Sequence, residues 1–261
     1  MTALALLGTR RSFRVLERNA RSYLRTWPAF LSGFLEPILY LFSIGIGVGA
    51  LVGDLPGPGG EPIPYDVFVA PAMLATAGMN ATIFDCTIVF FYKYKYAHTF
   101  EGMLATPLTV RDVVLGELLW ALMRGAIYCL AFLLTMVAMG LVLSWWAVLA
   151  VPAAVLIAYA FGGAGLGLTT YMRSFVDFPY ITLAIAPLAL FSATFFPLAQ
   201  YPDALGWIVR ASPLYQGVAI ERALVLGDVD ATIVLHAAYL VLMGWAGLRL
   251  ATRRLGLLLL P

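Results

Sequence analysis

Residues 93–112 read KYKYAHTFEGMLATPLTVRD, a polar island between two long apolar runs. The island holds two lysines, an arginine, a histidine, a glutamate and an aspartate, in a chain with only 11% charged residues. A helix reads through Ala97 to Leu104, with Phe100 and Leu104 stacked four apart and Thr99 and Glu101 on opposite faces. Pro107 ends it, because its nitrogen donates no hydrogen bond and its ring collides with the preceding turn. The spacing predicts a short amphipathic helix between two membrane crossings. On pattern alone, a solvated loop helix with no further task is an equal reading.

Outward from this island the chain is apolar. Of its 261 residues 62% are hydrophobic, and its mean hydropathy is +0.91. A soluble exterior draws on about 25% charged residues, so the composition predicts an all-α polytopic membrane protein. Six runs are long enough to cross roughly 30 Å of hydrocarbon. They lie at about 28–53, 66–92, 113–143, 147–172, 179–197 and 232–250, making 28–261 one transmembrane domain. The segment 1–27 is expected to be separate. Its arginines, among them Arg14, Arg18, Arg21 and Arg25, alternate with Phe13, Leu16, Tyr23, Leu24 and Trp27, which fall broadly on one side. That pattern suits a helix in the lipid headgroup layer; a plain charged tail is the alternative. No cleavable leader is expected, since Ala3–Leu7 is short and arginines follow it. The segment 198–230, with Pro202, Pro213 and Trp207, reads as short half-buried helices dipping back into the outer leaflet, or as an ordinary external loop.

Thirteen of the sixteen Lys and Arg residues fall on one side of a six-span layout. Arg210 and Arg222 fall on the other, and Arg124 within span three. The positive-inside rule then puts both termini and the 93–112 island in the cytoplasm.

Few residues offer chemistry. The chain has no phosphate-cradling GxxxxGK[ST] loop, so ATP hydrolysis of that kind is not expected from it. His98 and His236 lack metal-ligand spacing. Cys86 and Cys129 lie in apolar runs and read as small packed hydrophobes. Gly163, Gly165 and Gly167, like Gly45, Gly49 and Gly53, read as points of close helix approach. No basic run with interleaved aromatics suggests nucleic acid. Three ionisable groups fall at comparable membrane depth: Glu36, Asp85 and Arg124. Such groups are costly unless paired or wet, so Arg124 is expected to neutralise Asp85, Glu36 or both, as a helix-fastening network or along a transport path. Glu117 reads as shallow enough to reach the interface.

Three blocks in order carry a family resemblance: FLEPILYLFSIGIGVGALVG (34–53), TFEGMLATPLTVRDVVLGELLW (99–120) and FPLAQYPDALGWIVRASPLY (196–215). With them the chain resembles the membrane subunit of ABC-2 type ABC exporters, notably the NodJ-like lipooligosaccharide and antibiotic-resistance permeases. The resemblance implies six transmembrane helices, an N-terminal interfacial helix, a cytoplasmic coupling helix and re-entrant extracytoplasmic helices, in a bacterial-type plasma (inner) membrane. It implies two permeases, identical or related, each docked on a cytoplasmic ABC ATPase that binds ATP and Mg; membrane lipids are further partners. By that correspondence Thr99, Phe100, Glu101, Leu104 and Pro107 become ATPase contacts, and the 173–177 turn a smaller one. Substrate would pass along spans one, two and five. The implied cargo is a lipid, lipooligosaccharide or antibiotic-like compound. An ion-gradient-driven secondary transporter of hydrophobic solutes is the alternative, and would need acidic ion ligands at mid-membrane.

Overall fold

A computed structural model describes residues 11–23, 27–57 and 60–259. Its elements are helices apart from one two-residue hairpin, β1 (Leu55–Pro56) with β2 (Pro62–Ile63). Helix α1 (Ser12–Tyr23) precedes α2 (Trp27–Val52). Next comes one apolar column of three parts: α3 (Tyr65–Phe84), a π-helical turn (Asp85–Val89) and α4 (Phe90–Lys95). The short α5 (Thr99–Leu104) leads into α6 (Val110–Ala138). Helix α7 (Ala150–Thr169) follows a 3-10 turn at Trp145–Leu149, and α8 (Phe178–Leu190) another at Phe175–Asp177. The chain closes with α9 (Asp203–Ala211), α10 (Pro213–Leu226) and α11 (Thr232–Leu259).

Among the described residues four helical columns are long and apolar enough to cross a membrane: Tyr65–Lys95, Val110–Ala138, Trp145–Thr169 and Thr232–Leu259. Shorter apolar stretches occupy Ile38–Val52 and Phe175–Leu190. Their outward residues are what hydrocarbon would solvate: Leu39, Leu51, Leu183, Leu235 and Leu242 are each more than 60% exposed. The fifth run ends earlier than its hydropathy suggests. Pro187 removes a helical donor, Phe191 leaves helical geometry, and Ala193 takes a left-handed φ of 55°. A tight turn there, closed by Ser192 and Thr194 hydroxyls 2.7 Å apart, redirects the chain toward α9. The sixth run continues past 250 as helix to Leu259. Its Arg249 and Arg254 lie over the rings of Trp245 and Tyr171 at 5.1 and 3.9 Å, with Arg254 Nε buried.

The 198–230 segment is not a loop. Helix α10 buries Leu214, Val218, Ile220, Leu224 and Val225 among α3, α7 and α11. The Val225 carbonyl accepts the amides of Leu143 and Ser144, both at 3.1 Å. Helix α6 ends at Ala138, where Gly140 turns the chain with a left-handed φ of 73°, and the residues beyond cap α10.

Small residues let the columns close up. A Cβ on Gly163 would stand 2.5 Å from the Gly244 carbonyl oxygen, so α7 and α11 touch backbone to backbone. Without water to drive association, such contact gains mainly dispersion and close packing. Gly247→Leu is therefore expected to force the pair apart at a cost of about 1–3 kcal/mol. The check is the melting temperature of the detergent-solubilised protein, with Gly256→Leu as control, since no atom lies within 4 Å of a Cβ built there.

Candidate functional site

The 93–112 island folds as an elbow. Helix α4 ends at Lys95, and His98 takes a left-handed conformation (φ 48°, ψ 27°) that reverses the chain. Helix α5 thus begins at Thr99, two residues later than the periodicity implied, because His98 cannot hold that conformation inside a helix. After α5 the Thr106 hydroxyl donates to the Met103 carbonyl at 2.6 Å. Thr109 and Asp112 then form a reciprocal capping box that starts α6. Arg11 ties the elbow to the start of α1 by donating to the Pro107 carbonyl at 2.7 Å.

Which face is free is the decisive point. Phe100 is fully buried, packed on Phe90 with ring centroids 4.9 Å apart. With Met103, Val110, Val114 and Leu255 it belongs to one apolar cluster. Phe100 is therefore the mount of α5, which corrects its assignment as a contact for a soluble partner. Thr99 and Leu104 are half-buried, while His98, Glu101, Gly102, Ala105, Thr106 and Pro107 are exposed. Glu101 Oε1 lies 2.8 Å from His98 Nδ1. Beside this surface Tyr96 stacks on Phe175 at 5.0 Å, and Phe91 meets Phe175 and Phe178 edge-on at 5.3 and 5.1 Å. The 173–177 turn, closed by Asp177 accepting the Arg173 and Ser174 amides, is thereby fixed to the elbow. The two make one surface.

Above the elbow lie two buried ion pairs. Arg124 Nη2 stands 2.6 Å from Asp85 Oδ2, and Nη1 donates to the Tyr23 hydroxyl at 2.7 Å. The Glu36 side chain, the other expected partner, lies outside the described residues, as does Arg25. Lys93 Nζ reaches Glu117 Oε2 at 2.6 Å and Asn19 Oδ1 at 3.0 Å. Glu117 is 6% exposed. It is not an interfacial carboxylate, because the column ending in α4 runs beside α6 and presents Lys93 to it. The two pairs connect α1, the α3–α4 column and α6, and their formal charges cancel. Removing one member leaves a buried charge without its counterion, at about 3–5 kcal/mol. Lys93→Met is accordingly expected to lower the melting temperature sharply, and Lys93→Met with Glu117→Gln to restore much of it; thermal unfolding of the parent and the two variants checks this.

Helix α1 has three sectors. Ser12, Val15 and Asn19 are buried against α6, where Gly116 leaves room for Val15. Phe13 is 52% exposed on a second flank, and the charges occupy a third. Close packing on α6 is made by the small-residue side, and of the bulky apolar side Tyr23 also reaches α6, its ring 5.1 Å from that of Trp120. Glu17 takes up part of the basic charge, pairing with Arg21 at 2.6 Å and Arg14 at 3.4 Å, while Arg18 is exposed.

Sequence reasoning overlooked Lys93, Glu117, Asn19 and Tyr23 as network members. Opposite charges at matched distances from one end of neighbouring columns were the available signal. It also overlooked Glu221, fully buried on α10 with both carboxylate oxygens unpartnered among the described residues. Among the described residues no cluster suits a metal ion.

A short helix at the ends of membrane-length columns is the architecture the three sequence blocks implied, though with Phe100 buried beneath it rather than facing out. The family model for ABC-2 type transporters matches residues 12–226, most of the chain. The chain belongs to the ABC-2 type transporter family. Its ABC-2 relatives include Nodulation protein J of Sinorhizobium fredii (strain NBRC 101917 / NGR234), 32% identical over 87% of this chain and 85% of that protein. Nodulation protein J of Rhizobium leguminosarum bv. trifolii is 32% identical over 92% of both chains. That of Bradyrhizobium diazoefficiens is 30% identical, again over 92% of both. An ABC-2 chain is a multi-pass membrane subunit of a transporter, and the family implies an ATPase partner in the complex.

Proposed function

We propose that this chain is the permease of a plasma-membrane ABC exporter that moves an amphipathic or hydrophobic substrate: a lipid, a lipooligosaccharide or an antibiotic-like compound. ATP and Mg are bound by a separate cytoplasmic ATPase, two copies per complex, and two permeases, identical or related, face each other. The supporting observation is the elbow: α5 offers an exposed face while Phe100 and the two ion pairs root it in the membrane columns. Force applied to that face reaches α1, α3 and α6 without passing through a flexible linker. Nucleotide-driven closure of the ATPase pair would then bias the permeases between two packings, and transport follows if the substrate binds the two differently.

In this reading both termini and the elbow lie in the cytoplasm, and α10 is the re-entrant element closing the outer side. Between α3 and α8 runs a cleft of about 320 Å³ lined by Asn80, Phe84, Thr87, Ile181 and Thr182. Mostly apolar side chains with one amide and two hydroxyls, it suits the path of an amphiphile between two facing permeases. The test is reconstitution with the cognate ATPase in liposomes. Outward movement of a fluorescent lipid analogue is expected with ATP and Mg and absent without them. Movement driven by a proton or sodium gradient alone would replace this reading with a secondary transporter.

A further inference from the structure

At the end of the molecule opposite α5 lies a second cleft, of about 420 Å³. It is bounded by α10, the first turns of α11, Phe68 near the start of α3, the turn after α8 and the β1 strand end. Its polar lining is Tyr215, Arg222, Asp228, Asp230, Thr232 and His236. Most of these already have employment. Asp230 caps α11, accepting from the Thr232 hydroxyl and amide, and those bonds hold its carboxyl below the usual carboxylate range. His236 Nδ1 is engaged with the Gln216 side-chain oxygen.

Arg222 is the exception. Its guanidinium lies over the Phe68 ring at 4.0 Å, and Nη2 donates to the Ala193 carbonyl at 2.9 Å. Nε is sealed from solvent and unpartnered, and no carboxylate among the described residues is within salt-bridge distance. A guanidinium offers five donors in a planar fork matched to oxyanions. In the ion-pair network Lys93 and Arg124 each have a carboxylate, whereas Arg254, over Tyr171, shares the pattern of Arg222 but does not line this cleft. At Arg222 the cation sits on an aromatic wall at the edge of a cavity, with its counterion missing.

We propose that this cleft binds a phosphate or carboxylate oxyanion, with Arg222 as the receiving cation and Phe68 and Leu226 as the wall for an attached apolar group. The oxyanion would come from an amphiphile's headgroup or from free anions in solution, and the apolar wall favours the headgroup. Ligation also bears on the end of α8, because the arriving oxyanion competes for the guanidinium with the Ala193 carbonyl, in the turn whose left-handed backbone redirects the chain. The assignment rests on the membrane reading of the chain but needs neither ATPase nor transport, so binding and coupling fail separately.

The experiment is equilibrium binding to the full chain in phosphatidylcholine nanodiscs, with dihexanoyl phosphatidic acid and inorganic phosphate as probes. The lipid analogue is expected to bind at least tenfold more tightly than inorganic phosphate; equal affinities would keep the oxyanion site and assign it to solution anions. Arg222→Gln is expected to weaken binding at least tenfold and Arg222→Lys by less than threefold, while Arg210→Gln, on exposed α9, changes nothing. Because Arg222→Gln also removes a structural contact, Asp228→Asn at the exposed rim gives an independent reading. Loss of that negative charge is expected to tighten binding two- to fivefold at low salt and less at high salt. No binding of either probe, unaltered affinity in Arg222→Gln, or unaltered affinity in Asp228→Asn would overturn the proposal.

Discussion

Arg124→Met is expected to produce the most damaged single variant of this chain, lost to aggregation or melting far below the parent. The substitution removes the cation 2.6 Å from Asp85 and strands a carboxylate that is 6% exposed. Breaking a buried pair from one side costs about 3–5 kcal/mol, a large part of the stability of most folds. The same reasoning gives the opposite result for the double variant. Arg124→Met with Asp85→Leu removes both charges and fills the space with apolar groups, so it is expected to recover most of the melting temperature. Fluorescence-detected size exclusion of heated detergent extracts distinguishes the cases. A double variant as damaged as the single would mean that Arg124 matters through Tyr23 and the Ala81 carbonyl rather than through its ion pair.

The second large effect is expected on function with stability unchanged. Gly102 is exposed on α5, and a Cβ there would meet nothing within 4 Å. Gly102→Trp therefore leaves the permease fold intact but puts a bulky ring on the face that the proposed coupling to an ATPase uses. ATP-driven transport and ATPase co-purification are both expected to fall at least tenfold, with no change in melting temperature. Glu101→Lys, which reverses charge on the same face and loses the His98 contact, is expected to act in the same direction more weakly. Phe100→Ala should behave differently: truncating a fully buried phenylalanine costs about 3–5 kcal/mol, so the variant loses stability first and coupling as a result. A Gly102→Trp protein that still co-purifies with its ATPase would remove the elbow from the coupling route.

The columns were legible because crossing hydrocarbon requires long apolar runs, and the elbow because a polar island ended by Pro107 interrupts them. That Arg124 would pair with Asp85, Glu36 or both followed from depth alone, since an isolated charge there is too costly; which carboxylate it takes did not. Other features left weaker traces. A helical stripe shows that Phe100 and Leu104 share a side, but not whether that side meets a partner or the chain's own bundle. On α1, close approach was decided by Gly116 of another helix, which selected the Val15 face over the bulkier Phe13 flank. Glu221 and Arg222 lie in the 198–230 segment, whose prolines and Trp207 hinted at half-buried helices but not at which side chains those helices would bury.

The π-helical turn at Asp85–Val89 separates Tyr65–Phe84 from Phe90–Lys95. Its Phe90 amide donates to the Asp85 carbonyl five residues back. One extra residue in a turn offsets the two halves of the column by about 100°. Were that slack to migrate or be absorbed, the lower half would swivel while the upper half stayed seated, drawing Lys93 away from Glu117 and carrying the elbow with it. The column is thus built less as a strut than as a jointed shaft, with its one loose coupling beside the Asp85–Arg124 latch.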